Sequence, residues 1–156
     1  MDKINIEYTV KSKSELKEAD RQLIEEAEEA MAKAYAPYSN FTVGCAISLE
    51  GGKCVTGNNQ ENAAYPAGLC AERVALFSAK SHETTPIDTI AIVASHANGK
   101  RADAFCCGNC RQVMIEYAYQ QAQPIRVLMK REDQKFIVIK DVKELLPFHF
   151  NSESLQ

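Results

Sequence analysis

Of the six cysteines in the chain, three, Cys106, Cys107 and Cys110, fall within five positions, and a fourth, Cys70, stands two residues before Glu72. Both groups sit where a helix should begin. There the unpaired amides and the positive end of the helix dipole stabilise a thiolate, the form of cysteine that binds metal. Cys107 and Cys110 are three apart, so one helical turn points their sulfurs the same way, and Cys70 on a second helix can approach as a third ligand. Cys106 is an alternative thiol, but only Cys107 with Cys110 has the two-residue gap of a zinc knuckle.

Three thiolates leave the fourth tetrahedral position of zinc open, which separates a catalytic zinc from a closed structural one. A structural zinc in a non-catalytic interaction module is the competing reading and would need a fourth protein ligand. The three histidines, His82, His96 and His149, have no ligand spacing to the cysteines. Three thiolates around Zn²⁺ give a local charge of −1, which weakens a Lewis acid. Arg73 and Arg111 each follow a ligand closely, and at least one of them is expected to hydrogen-bond a cysteine sulfur and withdraw charge. Glu72, two residues beyond a ligand, is the natural group to move protons to and from a zinc-activated water.

These residues need a scaffold, and the hydrophobic pattern supplies one. From Ser14 to Tyr35 the apolar residues Leu16, Ala19, Leu23, Ala27, Ala30, Met31 and Ala34 lay one stripe along a helix, and Pro37 is expected to stop it. Phe41 to Leu49, the Gly51-Gly52 pair and Lys53 to Thr56 read as a hairpin. Leu69 to Lys80 suits a buried helix, and Ile87 to Ser95 a strand covered on both faces. A further helix follows the cysteine cluster through Val113, Met114, Tyr117 and Ala118, then strands at Ile125 to Met129 and Phe136 to Ile139 and a short helix at Val142 to Leu146. The order predicts an α/β fold, a three-layer α/β/α domain with a mixed sheet of about five strands. Cys45 and Cys54, in the hairpin, read as small buried hydrophobes.

With 156 residues and 46% hydrophobic content, one domain spanning 1–156 is expected. The 18 basic and 21 acidic residues, net −3, are interspersed, and no basic stripe exists to neutralise phosphates, which argues against a nucleic-acid partner. No stretch approaches the ~20 apolar residues that span a bilayer, and the N-terminus lacks a signal-peptide core, so no membrane partner and a cytoplasmic location are expected. A reducing compartment in turn favours metal binding over disulfides for clustered cysteines.

The chain closely resembles the small cytidine deaminases whose zinc is held by three cysteines. The resemblance is carried by Tyr38-Ser39-Asn40-Phe41-Thr42-Val43-Gly44, Asn59-Gln60-Glu61-Asn62-Ala63-Ala64-Tyr65-Pro66, Cys70-Ala71-Glu72-Arg73 and Cys107-Gly108-Asn109-Cys110-Arg111-Gln112. It runs over a core of about 20–150 and leaves 1–19 as an N-terminal extension with a strand-like Ile4 to Tyr8. It implies a cytidine deaminase-like fold and one Zn²⁺ per chain on Cys70, Cys107 and Cys110. It also implies hydrolytic deamination of cytidine and deoxycytidine, as in pyrimidine salvage, with Glu72 shuttling protons.

By the same resemblance, the Ala71 backbone orients the base, Phe41 lines its pocket, and Asn59 and Glu61 bind the ribose hydroxyls. Phe150 matches an aromatic that family members lend to a neighbouring subunit, which implies a homotetramer with shared sites. The absence of a phosphate loop fits a small-molecule nucleoside better than a nucleotide. A deaminase of another aminopyrimidine nucleoside could use the same zinc and Glu72 with a changed pocket. One departure stands beside a ligand: the family usually has proline where this chain has Cys106, which loosens the backbone entering the helix.

Overall fold

The computed structural model describes residues 1–155, and its architecture is three layers. A six-stranded sheet runs in the order β1-β6-β5-β4-β2-β3, built from β1 (Tyr8–Lys11), β2 (Phe41–Leu49), β3 (Cys54–Asn58), β4 (Ile87–His96), β5 (Arg126–Lys130) and β6 (Phe136–Ile139). Among the described strands of this sheet, only β4 and β5 pair in parallel. That pairing needs a crossover, and α3 (Gly108–Tyr119) supplies it. Helix α1 (Glu18–Met31) covers one face of the sheet and packs Leu23, Ile24 and Ala27 on Ala46, Ala91 and Leu128. Helices α2 (Ala71–His82) and α3 cover the other through Ala71, Ala75, Leu76, Cys110 and Met114.

The central strand β4 is buried along Ile90 to Ala94, as its continuous apolar run requires. Its two registers fix the layers: β2 pairs along its length from Phe41↔His96 to Leu49↔Ile87, and β5 pairs from Thr89↔Arg126 to Ile92↔Met129. The turn at Gly51 and Gly52, with φ of 88° and 90°, closes the expected hairpin in a conformation that favours glycine.

A tight approach between layers sets the position of α2. A Cβ on Gly57 would stand 2.5 Å from the Ala75 nitrogen and 2.7 Å from the Ala71 oxygen, so only a residue without one lets α2 lie this low on β3. On the other layer, Asp20 in the first turn of α1 receives two bonds from Arg126 of β5, at 3.0 and 2.9 Å. This fork of two charge-assisted bonds ties helix to strand.

Four sequence expectations change. The sheet has six strands instead of about five, because the N-terminal extension adds β1 antiparallel to β6. The strand is Tyr8–Lys11, not Ile4 to Tyr8, since residues 8 to 11 are the ones that find partners on Ile139 to Phe136. Helix α1 is shorter than Ser14 to Tyr35. Its start is displaced by a separate turn at Lys13–Glu15 closed by a Ser12/Glu15 capping box. It ends before Pro37 because Tyr35 is taken into backbone bonds with Asn59 and Glu61. Cys45 is buried as expected, whereas Cys54 is exposed, lying on the edge strand β3.

Candidate active site

The three candidate ligands converge. Cys70 is the residue preceding α2 and Cys107 the residue preceding α3, both with extended backbone and neither using its side chain to cap the helix. Their sulfurs are therefore free to face each other, 3.8 Å apart, and Cys107 lies 3.5 Å from Cys110 in the first turn of α3. All three sulfurs fall within 4.8 Å of one another. A tetrahedral zinc with Zn–S bonds near 2.3 Å holds its sulfurs ~3.8 Å apart, so this donor set fits zinc. Cys106 points the other way: it is buried, with its sulfur 3.9 Å from the Met129 sulfur.

The charge on the cluster is distributed unevenly. The Cys70 thiol is pulled down to about 5, first by a hydrogen bond from Cys110 and then, against burial, by bonds from Arg73 and Cys107. Cys110 is pushed up by the same sharing with Cys70 and by burial. Arg73 Nη2 lies 3.8 Å from the Cys70 sulfur, and the thiolate in turn raises the guanidinium further above its ordinary value. Arg111 does not reach a ligand sulfur. Its Nε donates to the Cys106 carbonyl at 3.0 Å and its Nη1 to the Leu145 carbonyl at 3.2 Å, so it braces the loop that enters α3 against the C-terminal segment.

Glu72 is 4% exposed, and burial pushes its carboxyl up to about 7. It opens onto a cavity of about 750 Å³ that also reaches Cys70, Cys107 and Arg73. Val43, Ile92 and Ala94 supply apolar lining from β2 and β4. Phe41 lines the cavity too, its ring edge-on to His96 with centroids 5.2 Å apart.

Asn59 and Glu61 line the same space but already have partners within the chain. The Asn59 amide accepts from the Val43 N–H at 2.8 Å and donates to the Phe41 carbonyl at 2.9 Å, which pins the start of β2. Glu61 accepts from the Tyr38 and Ser39 amides at 3.0 and 3.2 Å and from the Ser39 hydroxyl. These bonds, the Ser39 hydroxyl foremost, hold its carboxyl below the usual range. Each side chain has further bonding capacity toward the cavity, since an amide carries two N–H groups and a carboxylate about four lone-pair sites.

Four candidates do not line this cavity: Cys110, Arg111, Ala71 and Phe150. Ala71 is buried at the first position of α2, where its N–H is among those a helix leaves without an internal acceptor. The cavity is lined by its neighbours Cys70 and Glu72. Phe150 is 58% exposed and tethered by its carbonyl to Gln112 Nε2 at 2.7 Å; this chain does not bring it to its own cavity. In addition, the structure places Tyr38, Tyr65, Asp103 and Phe105 on the cavity wall, none of them singled out from sequence. The signal for the last two is the alternation of the small Ala102 and Ala104 with the larger Asp103 and Phe105.

Similarity to characterised proteins agrees with this geometry. Residues 17–123 match the family model for the cytidine and deoxycytidylate deaminase zinc-binding region. A cytidine deaminase of Halalkalibacterium halodurans is 39% identical over 137 residues, 87% of this chain and 98% of that protein. One of Sporosarcina psychrophila is 37% identical over 134 residues, 86% and 93% of the two chains. The crystal structure of cytidine deaminase from Burkholderia pseudomallei superposes with a TM-score of 0.72 at 40% identity and covers 83% of this chain and 97% of that one.

Proposed function

This chain belongs to the family of zinc-binding cytidine and deoxycytidylate deaminases, and from that premise we propose how its residues divide the work of converting cytidine and deoxycytidine to the uracil nucleosides. The observation that carries the reading is the convergence of three sulfurs at zinc-binding separation beside a cavity that Cys70 and Cys107 line together with the buried carboxyl of Glu72.

Cys70, Cys107 and Cys110 hold one Zn²⁺ per chain. Zinc at this position supplies the Lewis acidity that makes a water nucleophilic near neutral pH. Glu72 takes one proton of the attacking water and delivers it to the ring nitrogen beside the reacting carbon, then carries the second, from the new hydroxyl, to the departing amino group. A C–O bond forms, the C–N bond breaks, and ammonia leaves with one water proton added to the two it already carried, while the other water proton stays on the ring nitrogen. Arg73 tempers the charge of the thiolates through Cys70. Phe41 flanks the base, the Ala71 amide orients it, and Asn59 and Glu61 turn their remaining bonding capacity to the ribose hydroxyls. Arg73 is the one basic side chain on the cavity wall and is committed to a thiolate, which favours an uncharged nucleoside over a nucleotide or a polynucleotide.

The exposed, tethered Phe150 fits a residue delivered to a neighbouring subunit, so the working form we propose is a homotetramer with shared sites, one domain of 1–156 per subunit. Six unpaired thiols suit a reducing, cytoplasmic setting and a role in pyrimidine salvage. No helix among the described residues is long and apolar enough to cross a membrane. The test is turnover of cytidine by zinc-loaded protein, read as ammonia release and loss of cytosine absorbance, with Glu72→Gln as control. Turnover that the substitution abolishes supports the reading; folded, zinc-loaded protein inert toward cytidine rejects it. Activity confined to another aminopyrimidine nucleoside would transfer the same machinery to that substrate.

A further inference from the structure

The segment between β4 and α3 contains neither helix nor named strand beyond its start, yet it keeps the two-residue alternation of an extended chain. Ala104 and Cys106 are buried in the core, while Asp103, Phe105 and Cys107 are exposed and, together with Ala104, line the cavity. The segment is fixed by two bonds to the β5–β6 hairpin: the Ala104 N–H donates to the Lys130 carbonyl at 2.7 Å, and the Asp103 carboxylate accepts from the Glu132 N–H at 2.9 Å. Side chains two apart on one face of an extended chain stand roughly 7 Å apart, about one aromatic ring from the ligand sulfur of Cys107. Phe105 is 51% exposed, and no aromatic ring among the described residues stacks on it, in contrast to Phe41 with His96.

A cytosine ring must bring its amino-bearing carbon to the sulfurs and Glu72. Two different edges flank that carbon: a ring nitrogen on one side and the carbon-bound hydrogen of the 5-position on the other. The buried Glu72 carboxyl is the partner for the nitrogen. The hydrogen edge can bond nothing polar and needs an apolar wall within a ring's width of the sulfurs, which is where the extended segment holds Phe105. We propose that Phe105 is a specificity-determining residue that packs on the 5-edge of the pyrimidine and limits what substituent can be carried there. This deepens the proposed function and rests on it.

The experiment compares kcat/KM for cytidine and 5-methylcytidine in the wild type, Phe105→Ala, Phe105→Leu and Phe105→Tyr, with zinc content and oligomeric state measured for each protein. The wild type should prefer cytidine. Phe105→Ala should raise the 5-methylcytidine to cytidine ratio about tenfold, the scale on which an apolar pocket distinguishes one methyl group, and it should do so chiefly through KM. Phe105→Leu should fall between, and Phe105→Tyr should keep the wild-type ratio. Calorimetric binding of the two nucleosides should shift in parallel. A wild type active on cytidine whose ratio none of the variants moves, or variants that lose both substrates equally together with zinc or assembly, would overturn this assignment alone. A zinc-loaded wild type that neither binds nor turns over cytidine overturns the assignment together with the reading beneath it.

Discussion

The two sides of the cavity solve the problem of polar groups in opposite ways. On the ligand side, Cys70 and Cys107 stand at helix starts without capping their helices, and Arg73 Nε is buried with no hydrogen-bond partner. On the opposite side, Asn59 is bonded to both Phe41 and Val43, and Glu61 gathers the Tyr38 and Ser39 amides. The first side is assembled for a guest and is incomplete as protein. The second is a finished piece of protein that also faces substrate. Stability should therefore depend on the metal at the first side and be indifferent to it at the second.

The largest effect expected is from Cys110→Ala. Zinc should fall well below one per chain and cytidine turnover below detection, and the unfolding midpoint, which a chelator lowers in the wild type, should no longer respond to chelation. A variant that keeps stoichiometric zinc would break the comparison at its root. Next is Glu72→Gln, for which kcat should drop by roughly 10²–10⁴ while metal analysis still finds one zinc, because the role proposed for the carboxyl is proton transfer and not metal binding.

Asn59→Ala sharpens the other side. It strands a buried N–H and a carbonyl of β2, so urea unfolding should report a loss of about 1–3 kcal/mol, with the chelator response intact. Equal sensitivity of Asn59→Ala and Cys110→Ala to chelator would show that the two sides are one unit. The smallest effect belongs to Cys106→Ala, about 1 kcal/mol of stability by denaturation with zinc content unchanged, since its sulfur packs on Met129. Loss of metal in this variant would return Cys106 to the ligand set.

The ligand side was legible in the sequence because its chemistry is local: a thiol at a helix start and a second one turn later carry their geometry in their spacing, and Glu72 inherits its place from Cys70. Five strands and three helices were legible because each has its own hydrophobic period. What escaped was long-range. The end of α1 depends on Tyr35 bonding to residues more than twenty positions ahead, and β1 is defined by where β6 ends up. Phe105 and Asp103 lie between the Ile87 to Ser95 strand run and the cysteine cluster, in a stretch too short to carry a hydrophobic period that would assign them a face. Arg111 looked equivalent to Arg73 by position relative to a ligand, and only the fold shows that it turns to the Cys106 and Leu145 carbonyls.

Gly57 belongs to neither side of the cavity, yet the helix that follows Cys70 answers to it. Because α2 rests where a single methyl group on β3 would collide with the Ala71 oxygen and the Ala75 nitrogen, the separation between Cys70 and the pair on α3 is set from behind, by a residue that touches neither sulfur nor substrate. A side chain there should displace α2 and with it Cys70, while leaving every catalytic letter intact. A homologue that retains all three cysteines and the glutamate but carries a bulkier residue at this point should therefore be suspected of being a pseudoenzyme.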